Sequence, residues 1–195
     1  MEVPPRQESD MQIATLLFDR FSALDALGPA EIFRSIGWAE VLFVAEKSGQ
    51  IINDTGELTI KVTHTLADVP RPDVIIIPGG PGARAMLSNR RVLDWLNTAQ
   101  PTAHWTGAIC CGVLVLGAAG LLRGVKATTN WRLQDELKAY GAIYVSENYV
   151  KSSKFFSAAN SAAGVEMAGI ITHMLVDVPF AQAALALAHT VPALA

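Results

Sequence analysis

Two adjacent cysteines, Cys110 and Cys111, carry the most reactive side chains of this sequence. They stand in Ala108-Ile109-Cys110-Cys111-Gly112, between an apolar run fit for a strand and one fit for a helix. A nucleophile elbow holds its reactive residue on a tight, strained turn, so the residues two before and two after it must be small. Centred on Cys110, those positions are Ala108 and Gly112; centred on Cys111, they are the β-branched Ile109 and Val113. Cys110 is therefore the candidate nucleophile, and a helix starting beside it favours its thiolate. The plainer reading of either cysteine is a packed core residue, because free cysteine is among the most buried types. The strand–turn–helix context reverses that reading for Cys110 and leaves Cys111 mainly structural.

Two more groups are candidates for the same site. Pro78-Gly79-Gly80-Pro81-Gly82 ends a strongly apolar run. Glycines there bring backbone N–H groups close to a ligand, as an oxyanion hole requires. Asp25 lies after the first apolar run, where it reads as a loop residue. A carboxyl beside a thiol orients it, holds a shared proton or delivers that proton to an intermediate. The plainer role is a solvent-facing or helix-capping aspartate, and Glu31 is a rival carboxylate placed inside the following helix. A cysteine protease needs a histidine beside its thiol, yet His64, His104, His173 and His189 belong to no motif. No metal-ligand spacing occurs, and PGGPG without a following GK[ST] is not a P-loop. No cofactor is expected.

The elements that must position these groups follow from periodicity and turn chemistry. Residues 11–18 predict the first strand, and Pro29 predicts the start of the first helix. Residues 39–46 predict a second strand, and 49–62 a hairpin around Asn53-Asp54-Thr55-Gly56. DVIIIPGG, from Asp73, is the strongest strand signal. A helix is expected over 89–99 with Val92, Leu93, Trp95 and Leu96 buried, then a strand over 104–109 and a helix over 112–122. Residues 131–141 predict an amphipathic helix stopped at Gly141. Short strands over 142–147 and 154–159 precede helices over 162–176 and 180–188. This alternation predicts an α/β fold, a doubly wound, mainly parallel sheet with helices on both faces. In such sheets sites form at the carboxyl ends of strands, here after Phe18, Ile77 and Ile109.

Bulk composition narrows the function classes. With 195 residues, 51% hydrophobic and 17% charged, the chain fits one domain over residues 11–195 with a heavily buried sheet or a sizeable oligomer interface. Residues 1–10 (MEVPPRQESD) read as a flexible tail lacking the apolar core of a signal peptide. The longest apolar stretch, Gly107 to Leu122, carries four glycines and falls short of the roughly 20 residues of a membrane span. Net charge is −3 with no basic stripe, so nucleic acid is not an expected partner. Adjacent cysteines cannot staple distant segments, and a cytoplasmic location is expected.

The segments LDALGPAEIF (24–33), DVIIIPGGPG (73–82), AICCGVLVLGAAGLLRGVKATTNW (108–131) and SAANSAAGVEMA (157–168) resemble the ThiJ/PfpI superfamily, of the class I glutamine amidotransferase-like type. The third segment is similar to the isocyanide hydratase branch and to the amidase-like domain of AraC-type regulators. The resemblance implies a flavodoxin-like fold from Met11 onward and a homodimer with the site near the subunit interface. It places Cys110 on the nucleophile and Asp25 on the acidic partner, with Gly79, Gly80 and the Cys111 backbone on the oxyanion-type donors. Three departures stand out: Cys111 replaces a threonine, Asn130 a histidine, and Ala159-Asn160 a Gly-Gly pair. The expected function is hydration of an isocyanide, a small electrophilic substrate, to an N-substituted formamide through a thioimidate on Cys110. The alternatives are a redox or ligand sensor using Cys110 oxidation, with Cys111 as a strained resolving thiol, and the ligand domain of an AraC-type regulator. No basic helix-turn-helix precedes the end at Ala195, so a complete regulator is not expected.

Overall fold

The computed structural model describes residues 11–176; the expected tail over 1–10 and the expected helix over 180–188 lie outside them. The chain runs through β1 (Gln12–Leu16), α1 (Ala23–Arg34), β2 (Glu40–Ala45), β3 (Gly49–Ile52), β4 (Thr59–Val62), β5 (His64–Thr65) and β6 (Val74–Ile77). It continues through α2 (Ala83–Met86), α3 (Arg90–Ala99), β7 (Trp105–Ile109), α4 (Val113–Ala118), β8 (Lys126–Ala127) and α5 (Gln134–Ala139). Then come β9 (Ile143–Tyr144), β10 (Tyr149–Ser152), β11 (Phe155–Ala158) and α6 (Ser161–Leu175).

A seven-stranded sheet in the order β10-β11-β7-β6-β1-β2-β5 forms the centre. All its pairings are parallel except β10 with β11. β6 shows why: every residue of its VIII run is buried, as a strand covered on both faces must be. Val74 and Ile76 point into one core with Phe33, Phe156 and Met167, under α1 and α6. Ile75 and Ile77 point into the other with Trp95, Leu96 and Leu114, under α3 and α4. Strand order reverses between β1 and β6, and crevices for ligands open at the carboxyl ends of strands beside such a reversal.

The expected hairpin forms as β3 and β4, in a small sheet of its own. Four expectations need correction. The first helix starts at Ala23 rather than at Pro29, which lies inside it, so Asp25 sits in a helical first turn and not in a loop. Gly28 explains the tolerance: it has no Cβ to strain against the proline ring. A Cβ there would also come within 2.6 Å of Val165 Cγ2 on α6, so close helix packing holds the segment helical. The helix expected over 112–122 is shorter: a 3-10 turn over Cys110–Gly112 leads into α4, which stops before Gly120 in the left-handed region. The strand expected over 142–147 is a two-residue piece, β9, paired with β8 outside the main sheet. On α3, Val92, Trp95, Leu96 and Ala99 are buried, whereas Leu93 is only partly covered.

Candidate active site

Three strand ends converge as expected. β7 delivers Cys110, β6 delivers the glycine loop, and the connection after β1 delivers Asp25 on α1. Cys110 has φ +52°, the left-handed region that costs a non-glycine residue about 1–2 kcal/mol. Neighbours over-determine this strained turn. Thr129, buried, donates its hydroxyl to the Cys110 carbonyl at 2.7 Å. Gly112 lies against the Ile77 and Pro78 carbonyls, where any Cβ would collide. Ala108, the other small position of the elbow, is fully buried in β7.

The glycine loop is wedged between α1 and the elbow. A Cβ on Gly79 would come within 2.7 Å of Asp25 Oδ2 and 2.9 Å of Cys110 Cβ. Asp25 and Cys110 therefore face each other across the space a methyl group would fill. Gly80 has φ +107° and lies against the backbone of Arg20 to Ser22, so no side chain fits.

The N–H groups of both glycines are already engaged. Gly79 donates to Asp25 Oδ2 at 2.9 Å, and Gly80 donates to Cys111 Sγ at 3.2 Å. Cys111 Sγ also lies 3.1 Å from the Gly80 carbonyl, as donor. The Cys111 N–H also acts on both thiols, where it favours the ionised form.

Asp25 is 1% exposed, and its Oδ1 is a buried oxygen without a hydrogen bond. Burial raises its pKa above the ordinary carboxyl value. The Ser161 and Ser22 hydroxyls and the Gly79 N–H offset part of that, and the charge of Asp54 adds to it. Neither hydroxyl closes a good hydrogen bond on Oδ1. Glu31, the rival carboxylate, pairs on the surface with Arg34 at 2.6 Å and takes no part.

The thiols divide their proton unlike the expectation of a Cys110 thiolate beside a helix end. Cys110 is pushed well above the usual thiol range by its hydrogen-bond interaction with Cys111, then by burial and the charges of Cys111 and Asp25. Cys111 is lowered to about 7 by the S–H of Cys110 and the Gly80 N–H, against the cost of burial. The pair behaves as one acid that readily loses one proton and resists losing a second. α4 is only six residues long, so its dipole contributes little here.

A cavity of about 500 Å³ is walled by Thr129, Asn130, Trp131, Glu147, Ala159 and Asn160; Thr129 links it to the elbow through the Cys110 carbonyl, while Cys110 and Asp25 do not line it. Two of the sequence departures, Asn130 and Ala159-Asn160, thus lie on its wall. Asn160 also caps α6, its side chain accepting the Ala163 N–H at 3.0 Å. Thr129, Trp131 and Glu147 were not singled out as site residues; Thr129 and Trp131 stand in the segment that carries the resemblance, but only the fold links them to Cys110. No described histidine approaches Cys110 in the fold's layout: His104 precedes β7, at the end opposite the elbow, His64 lies on edge strand β5, and His173 is near the end of α6. Among the described residues no cluster of histidine, cysteine and carboxylate side chains could hold a metal ion.

Residues 11–174 match the DJ-1/PfpI family. The chain is 36% identical to an isonitrile hydratase of Pseudomonas putida over 88% of its own length and 75% of the relative's. It is 26% identical to protein/nucleic acid deglycase 2 of Escherichia coli, covering 71% of this chain and 82% of that one. A crystal structure of a ThiJ/PfpI family protein from Pseudomonas syringae superposes with a TM-score of 0.89 at 31% identity, covering 94% of this chain and 76% of that one. The family match spans both the glycine loop and the elbow, the fold is shared with the superposed structure, and the chain belongs to the DJ-1/PfpI family.

Proposed function

We propose that this protein is a cysteine-dependent hydratase that adds water to an isocyanide and releases an N-substituted formamide. The observation that carries the reading is the buried Asp25 carboxyl, with one oxygen unpartnered, facing a strained cysteine elbow that has no histidine beside it among the described residues. An acyl-transfer site needs N–H donors free to receive an oxyanion, whereas here the glycine N–H groups hold Asp25 and Cys111. Isocyanide addition places its first demand on a proton donor instead. The similarity to isonitrile hydratase supports the same substrate class.

Cys110, as the thiolate, bonds through sulfur to the terminal isocyanide carbon, and Asp25 gives its proton to that carbon, leaving a neutral thioimidate and the Asp25 carboxylate. Water then adds to the same carbon while its proton returns to Asp25. The nitrogen takes the proton of the new hydroxyl as the carbon–sulfur bond breaks, the electron pair returns to the Cys110 sulfur, and the formamide leaves. Burial raises the Asp25 pKa and so favours the protonated carboxyl that this step uses. The Gly79 N–H fixes the carboxyl orientation, and the adjoining cavity accepts the nitrogen substituent. A homodimer with the site near its interface completes the reading.

The test is formamide formation from a simple aliphatic or aryl isocyanide. Cys110→Ala should fall to the uncatalysed rate, and Asp25→Asn should lose about 10²–10⁴-fold. Undiminished turnover in Cys110→Ala would remove the mechanism.

A further inference from the structure

The cavity borders both reacting groups through one short stretch of chain. β11 pairs with β7 so that Ala158 lies beside Ile109, which sets Ala159, on the cavity wall, next to Cys110. Asn160 lines the same wall, and the residue after it, Ser161, supplies one of the hydroxyls acting on Asp25. Thr129 lines it too and donates to the Cys110 carbonyl at 2.7 Å. The cavity thus lies at the same strand ends as the thiol, where the substituent of a molecule held on Cys110 has room to extend.

The wall is polar, and two of its groups are fixed by a second duty. Asn130 and Asn160 each cap a helical turn through the side-chain oxygen, which accepts the Arg132 N–H at 3.1 Å and the Ala163 N–H at 3.0 Å. With the oxygen committed, each amide keeps its NH₂ as a donor, and neither nitrogen has a hydrogen bond among the described residues. The lining holds one carboxylate, Glu147, and no basic side chain; Glu147 pairs with no cation among the described residues. We propose that this cavity selects the substrate by its nitrogen substituent, and that the substituent it takes ends in a carboxamide. The inference rests on the hydratase reading for the reaction and on the cavity lining for the substituent.

A carboxamide answers every free group of that wall. Its oxygen accepts from the asparagine amides, and its N–H donates to Glu147. A hydrocarbon chain covers the same donors and the carboxylate while offering them nothing, and polar groups left unpaired weaken binding. A carboxylate tail can accept from the asparagines but meets Glu147 as a like charge. An ammonium tail pairs with Glu147 but has no acceptor for the two amides. The nearby cations do not reverse these preferences by lining the cavity: Arg132 lies over the Trp131 ring, and Lys138 lies over the Tyr144 ring and pairs with Asp135.

The test compares formamide formation from β-isocyanopropionamide, its hydrocarbon isostere isopentyl isocyanide, β-isocyanopropionate and γ-isocyanopropylamine. The carboxamide should exceed each of the others in kcat/KM by about tenfold or more. Asn130→Asp and Asn160→Asp keep the capping oxygen and remove the donor, so the helix ends survive the change. Each should lower the ratio of carboxamide to isopentyl turnover by about fivefold or more. Asn160→Ser also caps, without added charge, and should lower the same ratio; a ratio held in all three variants overturns the inference. Glu147→Gln should raise the relative turnover of the carboxylate. The rate at which methanethiosulfonates with the same four tails capture Cys110, located by fragment-ion mass spectrometry, reads the cavity without the hydratase chemistry. Carboxamide-selective capture in a protein that makes no formamide upholds the cavity's role and removes only the reaction. Formamide made from all four isocyanides alike, with capture equally indifferent to the tail, keeps the reaction and overturns the inference.

Discussion

At the scale of the residue, the site turns on groups that burial holds away from their ordinary protonation. Asp25 has a native pKa raised above its unfolded value, so the folded chain binds this proton more tightly than the unfolded chain does. Stability from this group is therefore fully present below the unfolded pKa of about 3.9 and is lost as pH rises through the native value. Asp25→Asn should melt at a higher temperature than the parent at pH 8, and the difference should shrink toward zero near pH 3.5. Paired melting curves across that range check the sign; a constant difference would mean that the carboxyl is not the cause. The elbow at Cys110 was legible in the sequence because an elbow demands small residues at fixed offsets, whereas Asp25 read by itself as a loop or capping carboxylate and only the fold places it opposite Cys110. The pairing of Cys111 with the Gly80 backbone was not legible. It joins a side chain to a backbone 31 positions away, and no local pattern records such a contact.

At the scale of the element, the elbow stores strain that the two flanking elements hold in place. Glycine adopts the left-handed region without the Cβ penalty that Cys110 bears. Cys110→Gly should therefore be more stable than Cys110→Ala by about 1 kcal/mol, the reverse of the usual order inside regular structure. Urea unfolding of the two variants measures it, and a more stable alanine variant would show that the elbow is relaxed. Elements with strong internal signals, such as VIII in β6 and the 49–62 hairpin, were legible for the same reason they are stable: their pattern matches their burial. The start of α1 was not, because Pro29 signals a helix opening and only packing against α6 carries the helix through it. β10 was missed because Tyr149–Ser152 alternates partly covered and exposed residues on a sheet edge and lacks an apolar run.

At the scale of the whole molecule, apolar surface remains beside the site. Leu24, adjacent to Asp25, is 54% exposed, and Trp131, on the cavity wall, is 67% exposed. Large exposed apolar side chains at a site mouth commonly mark an interface. The chain should sediment at twice its monomer mass, and Leu24→Glu should weaken that association; a monomer at micromolar concentration would rule out the proposed homodimer. Among the described residues no helix is long and apolar enough to cross a membrane.

The seven-stranded sheet has a further consequence for what this protein can recognise. Its two edges are β5, only two residues long, and β10, where Lys151 lies over the Trp105 ring. Short edges and charged edge residues are poor templates for a further strand. The reactive cysteine follows β7, an interior strand already paired on both sides. An extended polypeptide therefore has no free backbone ladder on which to align across this thiol. Whatever reaches the thiol is met by side chains and loop backbone rather than by an open strand of this sheet.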